Sequence, residues 1–326
     1  MTIRILLAVA VLIAVACRCG FSGDGDAFTD PAKAGPDVAI QGEYKGEITI
    51  DGEQKAVGAQ VIARGDGKFD AILFHGGLPG DGWKRGDAKE NGNGQRDGGL
   101  VTFAGPFGSG QIQNGKFTLM SSGGENIGAL NKLERKSPTL GAKPPEGAIV
   151  LFDGSGVGEF PGAKMTEDKL LLAGAFSKRE FGDFTLHVEF RTPFMPNATG
   201  QARGNSGVYL QNRYEIQVLD SFGLNGESNE CGGLYSLKAP AVNMCLPPLT
   251  WQTYDIDFTA AKFDGDKKTR NARATIRHNG VAIYDDMEIP SLTPGGASTE
   301  APGRGPFQLQ WHGNPVTYRN IWVVEK

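Results

Sequence analysis

The sequence predicts an all-β protein: a C-terminal two-sheet sandwich or jelly roll preceded by a smaller β-rich unit. Short runs rich in Val, Ile, Phe and Thr recur along the chain, separated by glycine-containing turns. The 48 glycines among 326 residues are about twice the usual share of roughly 7% and show no collagen-like period. No sustained heptad or long amphipathic helical pattern competes with this reading. The length is sufficient for two cores, since domains usually run roughly 100–200 residues.

At the N-terminus, Arg4 precedes an apolar run from Ile5 to Ala16, too short for a membrane-spanning anchor and built like an export signal over residues 1–16. Export would place the protein in the periplasm or cell envelope. Ala14-Val15-Ala16 before Cys17 makes Cys17 a candidate for lipid attachment and membrane anchoring. Residues 17–37 are poor in apolar side chains and read as a tether.

Residues 38–135 form the first β-rich unit, with strands expected at Lys45–Ile50, Val57–Ala63, Lys68–Phe74, Leu100–Phe103 and Lys116–Met120. Between Gly76 and Gly99 the text is glycine-rich and charged and reads as a loop, on which Trp83 either stacks on a sugar or packs beneath its own segment. No set of acids, bases or nucleophiles stands out here, and an accessory role is expected. The proline-rich segment 136–146 cannot pair into a sheet and marks a linker. Strand signals then follow at Ala148–Phe152, Phe184–Arg191, Gly207–Gln211, Tyr214–Leu219, Thr253–Thr259, Arg273–His278, Gly305–Trp311 and Tyr318–Val324. This spacing over residues 147–326 suits a sandwich or jelly roll.

The net charge of −4 carries no basic block, which argues against a nucleic-acid partner. Of four cysteines, two lie near the export segment. The remaining pair, Cys231 and Cys245, is expected to form a disulfide in an exported protein. No histidine lies between or beside them in sequence, so a zinc site is disfavoured.

The segment Tyr214-Glu215-Ile216-Gln217-Val218-Leu219-Asp220 carries the densest chemistry. Strand alternation puts Glu215 and Gln217 on one face and Ile216 and Val218 on the other. Asp220 is out of phase and joins the polar pair only through a bulge or at the strand's end. Two carboxylates flanking an amide make a candidate acid/base site; a solvent-facing strand surface is the alternative.

Several ordered motifs extend the reading: Leu151-Phe152-Asp153-Gly154, Gly182-Asp183-Phe184 through Arg191, Gly204-Asn205-Ser206-Gly207-Val208, Tyr214 to Ser221, Gly233-Leu234-Tyr235 with Lys238-Ala239-Pro240, Trp251-Gln252-Thr253-Tyr254, His278-Asn279-Gly280, and Leu309-Gln310-Trp311-His312-Gly313-Asn314-Pro315 leading into Arg319-Asn320-Ile321. In these motifs residues 147–326 resemble the 3-keto-disaccharide hydrolase family, also described as 3-keto-glucoside lyases and hydratases, whose fold is the concanavalin-A-like jelly roll. The resemblance implies a carbohydrate substrate already oxidised at C3. The ketone acidifies the C2 hydrogen, a base removes it, and the enolate expels the glycosidic oxygen at C1, with water added back afterwards. For this chemistry Glu215 and Asp220 are the candidate acid and base, Lys238 and His312 are candidates for holding the enolate, and Gln217 is a candidate for orienting the sugar. Asn205 either hydrogen-bonds the substrate or opens a turn, and Tyr235 and Trp311 are either sugar platforms or core. Arg191 is a candidate for a ring oxygen, or an ion-pair partner near Glu189. The family also implies metal assistance, with Glu215, Asp220 and His312 as the candidate ligands of a divalent ion; no nucleotide cofactor is implied.

The spacing of Glu215 and Asp220 is similar to that of the acids in family 16 glycoside hydrolases, but Gln217 replaces their central acid, which disfavours a double displacement. A lectin-like envelope protein that binds carbohydrate without turnover is the main alternative, since fold alone does not fix function. A purely structural envelope protein is the third reading.

Overall fold

The computed structural model describes residues 26–326. The expected export signal, the Cys17 lipid site and the start of the tether lie outside the described residues. The architecture is all-β: an eight-stranded closed barrel followed by a two-sheet sandwich of the concanavalin-A-like jelly-roll class.

Around the barrel the strands run Gly42–Ile50, Asn126–Leu133, Lys116–Met120, Gly108–Gln113, Leu100–Gly105, Lys89–Asp97, Lys68–His75 and Glu53–Ala63, which closes back on the first. Alternation sends Tyr44, Val57, Ala59, Phe69, Phe103, Phe117 and Leu119 inside, where they form one buried cluster. Closure removes the exposed edges that a sheet of this size would otherwise leave.

The barrel strand Lys89–Asp97 occupies a stretch expected to be a loop. Its sequence, KENGNGQRD, contains no β-branched residue. Gly92 and Gly94 leave space that Phe107 and Phe103 fill: a Cβ on either glycine would lie 2.5 Å from the facing ring. Trp83, from the same stretch, is buried against Phe74 with ring centroids 5.1 Å apart, and its indole N–H donates to the Asp87 carbonyl. It offers no sugar platform.

In the sandwich, the larger sheet has the order Ile149–Phe152, Thr317–Glu325, Phe184–Arg191, Gln252–Thr259, Ala272–His278, Val281–Ile289, with Leu171–Leu172 also paired to Thr317–Glu325. The smaller sheet has the order Ala175–Phe181, Gly305–Leu309, Ser206–Leu210, Tyr214–Val218. All five residues of Tyr214–Val218 are buried, so this strand is not a solvent-facing surface.

Barrel and sandwich share a core. Ile62, Ile72 and Phe74 of the barrel and Trp83 from its 76–99 stretch belong to the same buried cluster as Phe222, Met244 and Cys245 of the sandwich. Arg85 donates to the carbonyls of Gly226, Pro240 and Ala241. Residues 26–37 are not a free tether: Phe28 and Phe194 exchange backbone hydrogen bonds of 3.0 and 2.9 Å, and Asp30 caps a 3₁₀ turn at Pro31–Lys33. The 136–146 segment forms no strand, as its prolines require, yet it is fastened down. Ser137 Oγ lies 2.6 Å from Thr253 Oγ1, Thr139 Oγ1 donates to Asp255 Oδ2 at 2.6 Å, and the Gly141 N–H donates to Glu189 Oε1 at 2.6 Å.

Cys231 and Cys245 are free thiols, both fully buried; the expected disulfide is not formed. Each sulfur has a polar neighbour in the core: Cys231 Sγ lies 3.2 Å from the Tyr254 hydroxyl, and Cys245 Sγ donates to the Leu219 carbonyl at 3.5 Å.

Candidate active site

The smaller sheet carries a cavity of about 220 Å³ lined by Gln201, Asn205, Glu215, Gln217, Tyr235, Pro294, Gly295, Gln310 and His312. The register explains the convergence. Gly207 pairs with Gln217 and Tyr209 with Glu215, so alternate residues of two neighbouring strands share one face. Gly207 is required there, since a Cβ would lie 2.0 Å from Glu215 Oε1. The Gln310 N–H donates to the Gly207 carbonyl, which brings the Trp311-His312 turn to the rim.

Glu215 forms the floor. It is 1% exposed, and burial pushes its carboxyl up to about 7 against a partial opposing effect of the Tyr209 hydrogen bond. Tyr209 Oη donates to Glu215 Oε2 at 2.7 Å, leaving Oε1 for a ligand in the cavity. A carboxyl that titrates near neutrality in a cleft is suited to general acid/base work.

Amides surround it. Gln217 Nε2 donates to Gln201 Oε1 at 3.1 Å, Asn205 Nδ2 donates to the Gln201 carbonyl at 2.8 Å, and Gln201 Nε2 donates to the Asn229 carbonyl at 2.7 Å. Asn205 Oδ1 is buried without a hydrogen-bond partner, an arrangement that costs free energy unless a ligand supplies a donor. A hydroxyl-bearing ligand would do so. Exposed His312 and half-buried Tyr235 stand at the cavity's edge.

Thus Glu215, Gln217, Asn205, Tyr235 and His312 come together, whereas four other candidates do not line the cavity. The strand ends at Val218, so Asp220 turns away into a buried ion pair with Arg203, Nε to Oδ2 2.6 Å. Lys238 is exposed, and its backbone carbonyl accepts from Tyr284 Oη. Arg191 ends a strand of the other sheet and lies over the Trp251 ring. Trp311, 47% exposed, is the immediate neighbour of His312 outside the lining. Sequence reasoning did not single out Tyr209, Gln201 or Gly295; Tyr209 was accessible to it, because it alternates with Gly207 along one strand.

The metal set expected from the family is not assembled. Among the described residues no group of three or more His, Cys, Asp and Glu is disposed to hold a metal ion. Asp220 is engaged by Arg203, and only Glu215 and His312 of the expected trio line the cavity. A larger cavity of about 540 Å³ lies between the barrel and Pro247–Thr250. Its buried acid, Glu43, is neutralised by Arg135 Nε at 2.6 Å, so it offers no comparable base.

Fold and site together describe a jelly-roll sandwich with a carboxyl-floored, amide-lined cavity, the construction of a glycoside-acting enzyme. The chain belongs to the family of 3-keto-alpha-glucoside-1,2-lyase-like domains, whose model matches residues 147–324. A structure from Parabacteroides distasonis, provisionally named a glycosyl hydrolase, is 32% identical, with a TM-score of 0.50 over 56% of this chain and 85% of that one. Two more structures from the same organism with the same provisional name are 17% and 21% identical, each with a TM-score of 0.39. They align with 56% and 55% of this chain and 94% and 99% of theirs. No curated protein matches the chain.

Proposed function

We propose that the chain is an exported enzyme that cleaves 3-keto-glucosides, with Glu215 as the base that removes the C2 proton. The observation that carries this reading is the buried Glu215 carboxyl, raised to about 7 by burial, at the floor of a cavity otherwise lined mainly by amides, with the Tyr235 phenol and the His312 imidazole at its edge. In the first step Glu215 Oε1 takes the proton from C2, and the C2–H electrons form the enolate with charge on the C3 oxygen. In the second the enolate reforms its carbonyl as the C1–O bond breaks, and the leaving oxygen takes a proton. His312, at the solvent-facing edge, can deliver that proton and recover it from water. Gln310 and Tyr235 are donors available to the C3 oxygen, and Asn205 Oδ1 accepts from a ring hydroxyl. No step uses a metal, because the residues present do not assemble the expected ligand set.

The cavity is smaller than the roughly 300–1,000 Å³ typical of drug-sized ligand sites, which favours a single terminal sugar ring over an extended polymer. Incubation with 3-keto-trehalose and simple 3-keto-glucosides, with and without chelator, tests the reading; products are identified by mass and NMR. Release of the aglycone with an unsaturated or hydrated 3-keto sugar is expected. Tight binding of unoxidised glycan with every keto-glucoside recovered intact would favour a lectin instead.

A further inference from the structure

Glu215 does not meet the cavity alone. Behind it Tyr209, fully buried, places its hydroxyl 2.7 Å from Glu215 Oε2, 2.8 Å from the Pro294 carbonyl and 3.2 Å from Gln310 Nε2. A phenol has one hydrogen to donate. Gln310 Nε2 can only donate, so it occupies a lone pair of the phenol oxygen, and that single hydrogen has two acceptors within reach. The seat is closed by the Pro294-Gly295-Gly296 turn. A Cβ on Gly295, whose φ is +85°, would lie 2.5 Å from the Tyr209 hydroxyl, and one on Gly296 would lie 3.0 Å from the ring. These two glycines, which the sequence reading did not explain, let the turn press against the phenol.

We propose that Tyr209 is the positioning residue for Glu215: it donates to the carboxylate before proton abstraction and redirects its hydrogen to the Pro294 carbonyl once Glu215 has become a neutral acid. This rests on the role proposed above for Glu215. The C2 proton goes to Oε1, the phenol keeps its own proton, and only the direction of one hydrogen bond changes. A carboxylate is the stronger acceptor, and a protonated carboxyl competes less well with a peptide carbonyl. Tyr209 thus supports the ionised base without holding it ionised after it has reacted.

Among the described residues, the other titratable groups around Glu215 are Tyr235 and His312 at the cavity and Tyr318, which interacts with it electrostatically. No lysine, arginine or second carboxylate lines the cavity. Burial therefore acts on Glu215 with Tyr209 as the one hydroxyl donating to it.

Tyr209→Phe removes the donor and keeps the ring. The carboxyl of Glu215 is titrated by ¹³C NMR in the parent and in this variant, with the resonance assigned through Glu215→Gln. The midpoint should move upward by about one pH unit or more, as expected for loss of a hydrogen bond to a charged group. An unchanged or lowered midpoint overturns the proposal. This measurement needs no substrate, so it stands even if the keto-glucoside reading fails. With a turned-over substrate, the acid limb of kcat/KM should shift upward by the same amount, and most of the rate should return at alkaline pH. A uniform loss at every pH, with the limb in place, would mark Tyr209 as merely structural and overturn the proposal.

Discussion

Arg203 and Asp220 form an ion pair 2.6 Å long with side chains 3% and 1% exposed, beneath the turn that carries Gln201 and Asn205 into the cavity. Arg203 also reaches across to the barrel, where its NH1 donates to the Ala63 carbonyl at 3.3 Å. One buried cation thereby joins the strand end after Val218, the cavity-lining turn and the N-terminal domain. The barrel is thus continuous with the support of the site.

Asp220→Asn leaves the Arg203 charge without its counter-ion and should cost about 3–5 kcal/mol, the range for breaking a buried pair. The double replacement Arg203→Met with Asp220→Leu should recover much of this, because both charges then disappear. Urea unfolding of the two variants measures it. A folded, fully stable Asp220→Asn protein without turnover would return Asp220 to the chemistry.

The 136–146 segment should resist limited proteolysis. Glu189, fully buried, accepts from the Gly141 N–H, Arg319 Nε and Asn320 Nδ2. Burial alone would raise its carboxyl; hydrogen bonds from His187, Asn320, Gly141 and Arg319 together hold it down at about 2. Its contribution is therefore present above the ordinary glutamate range and lost as pH falls from about 4.5 towards 2. Glu189→Gln should expose the bond after Lys136 to trypsin at pH 8, where the parent stays intact. Equal cleavage of both proteins would show that the segment is held by other contacts.

The two buried thiols should both be alkylated once the protein is denatured without reductant, and neither while it is folded. Peptide mass mapping reads this directly. Recovery of a single cross-linked peptide containing Cys231 and Cys245 would show that the pair is oxidised in the isolated protein.

Alternation was legible wherever hydrophobic and β-branched residues marked the strand, as in Phe184–Arg191 and Tyr214–Val218. The same alternation placed Glu215 beside Gln217. It failed for Lys89–Asp97, where glycines accommodate rings from other parts of the barrel, and for Val281–Ile289, whose Asp285-Asp286 pair disguises a strand with buried Ile283, Tyr284, Met287 and Ile289. Asp220 was misplaced because sequence spacing does not reveal where a strand stops. Arg203, the partner that claims it, is 17 residues away. Local pattern identified the cavity's floor; the partners that decide which acid remains available are long-range.

Glu215→Gln provides the sharpest separation between a working base and a structural acid. Because the folded carboxyl is raised to about 7 while an exposed glutamate titrates near 4.3, the native state keeps a proton that the unfolded chain has already lost between those values. Stability must then fall as pH rises through this window, and the loss, roughly 4 kcal/mol, is complete above the folded value. An amide cannot ionise and escapes this cost. The variant should be more stable than the parent at pH 8, and its advantage should shrink towards pH 5, while turnover falls by about 10²-fold or more for want of a base. Urea midpoints at the two pH values, measured beside the rate on a keto-glucoside, decide the matter. Identical pH dependence of stability in both proteins would mean that Glu215 is ionised throughout, and parental turnover would mean that it is not the base.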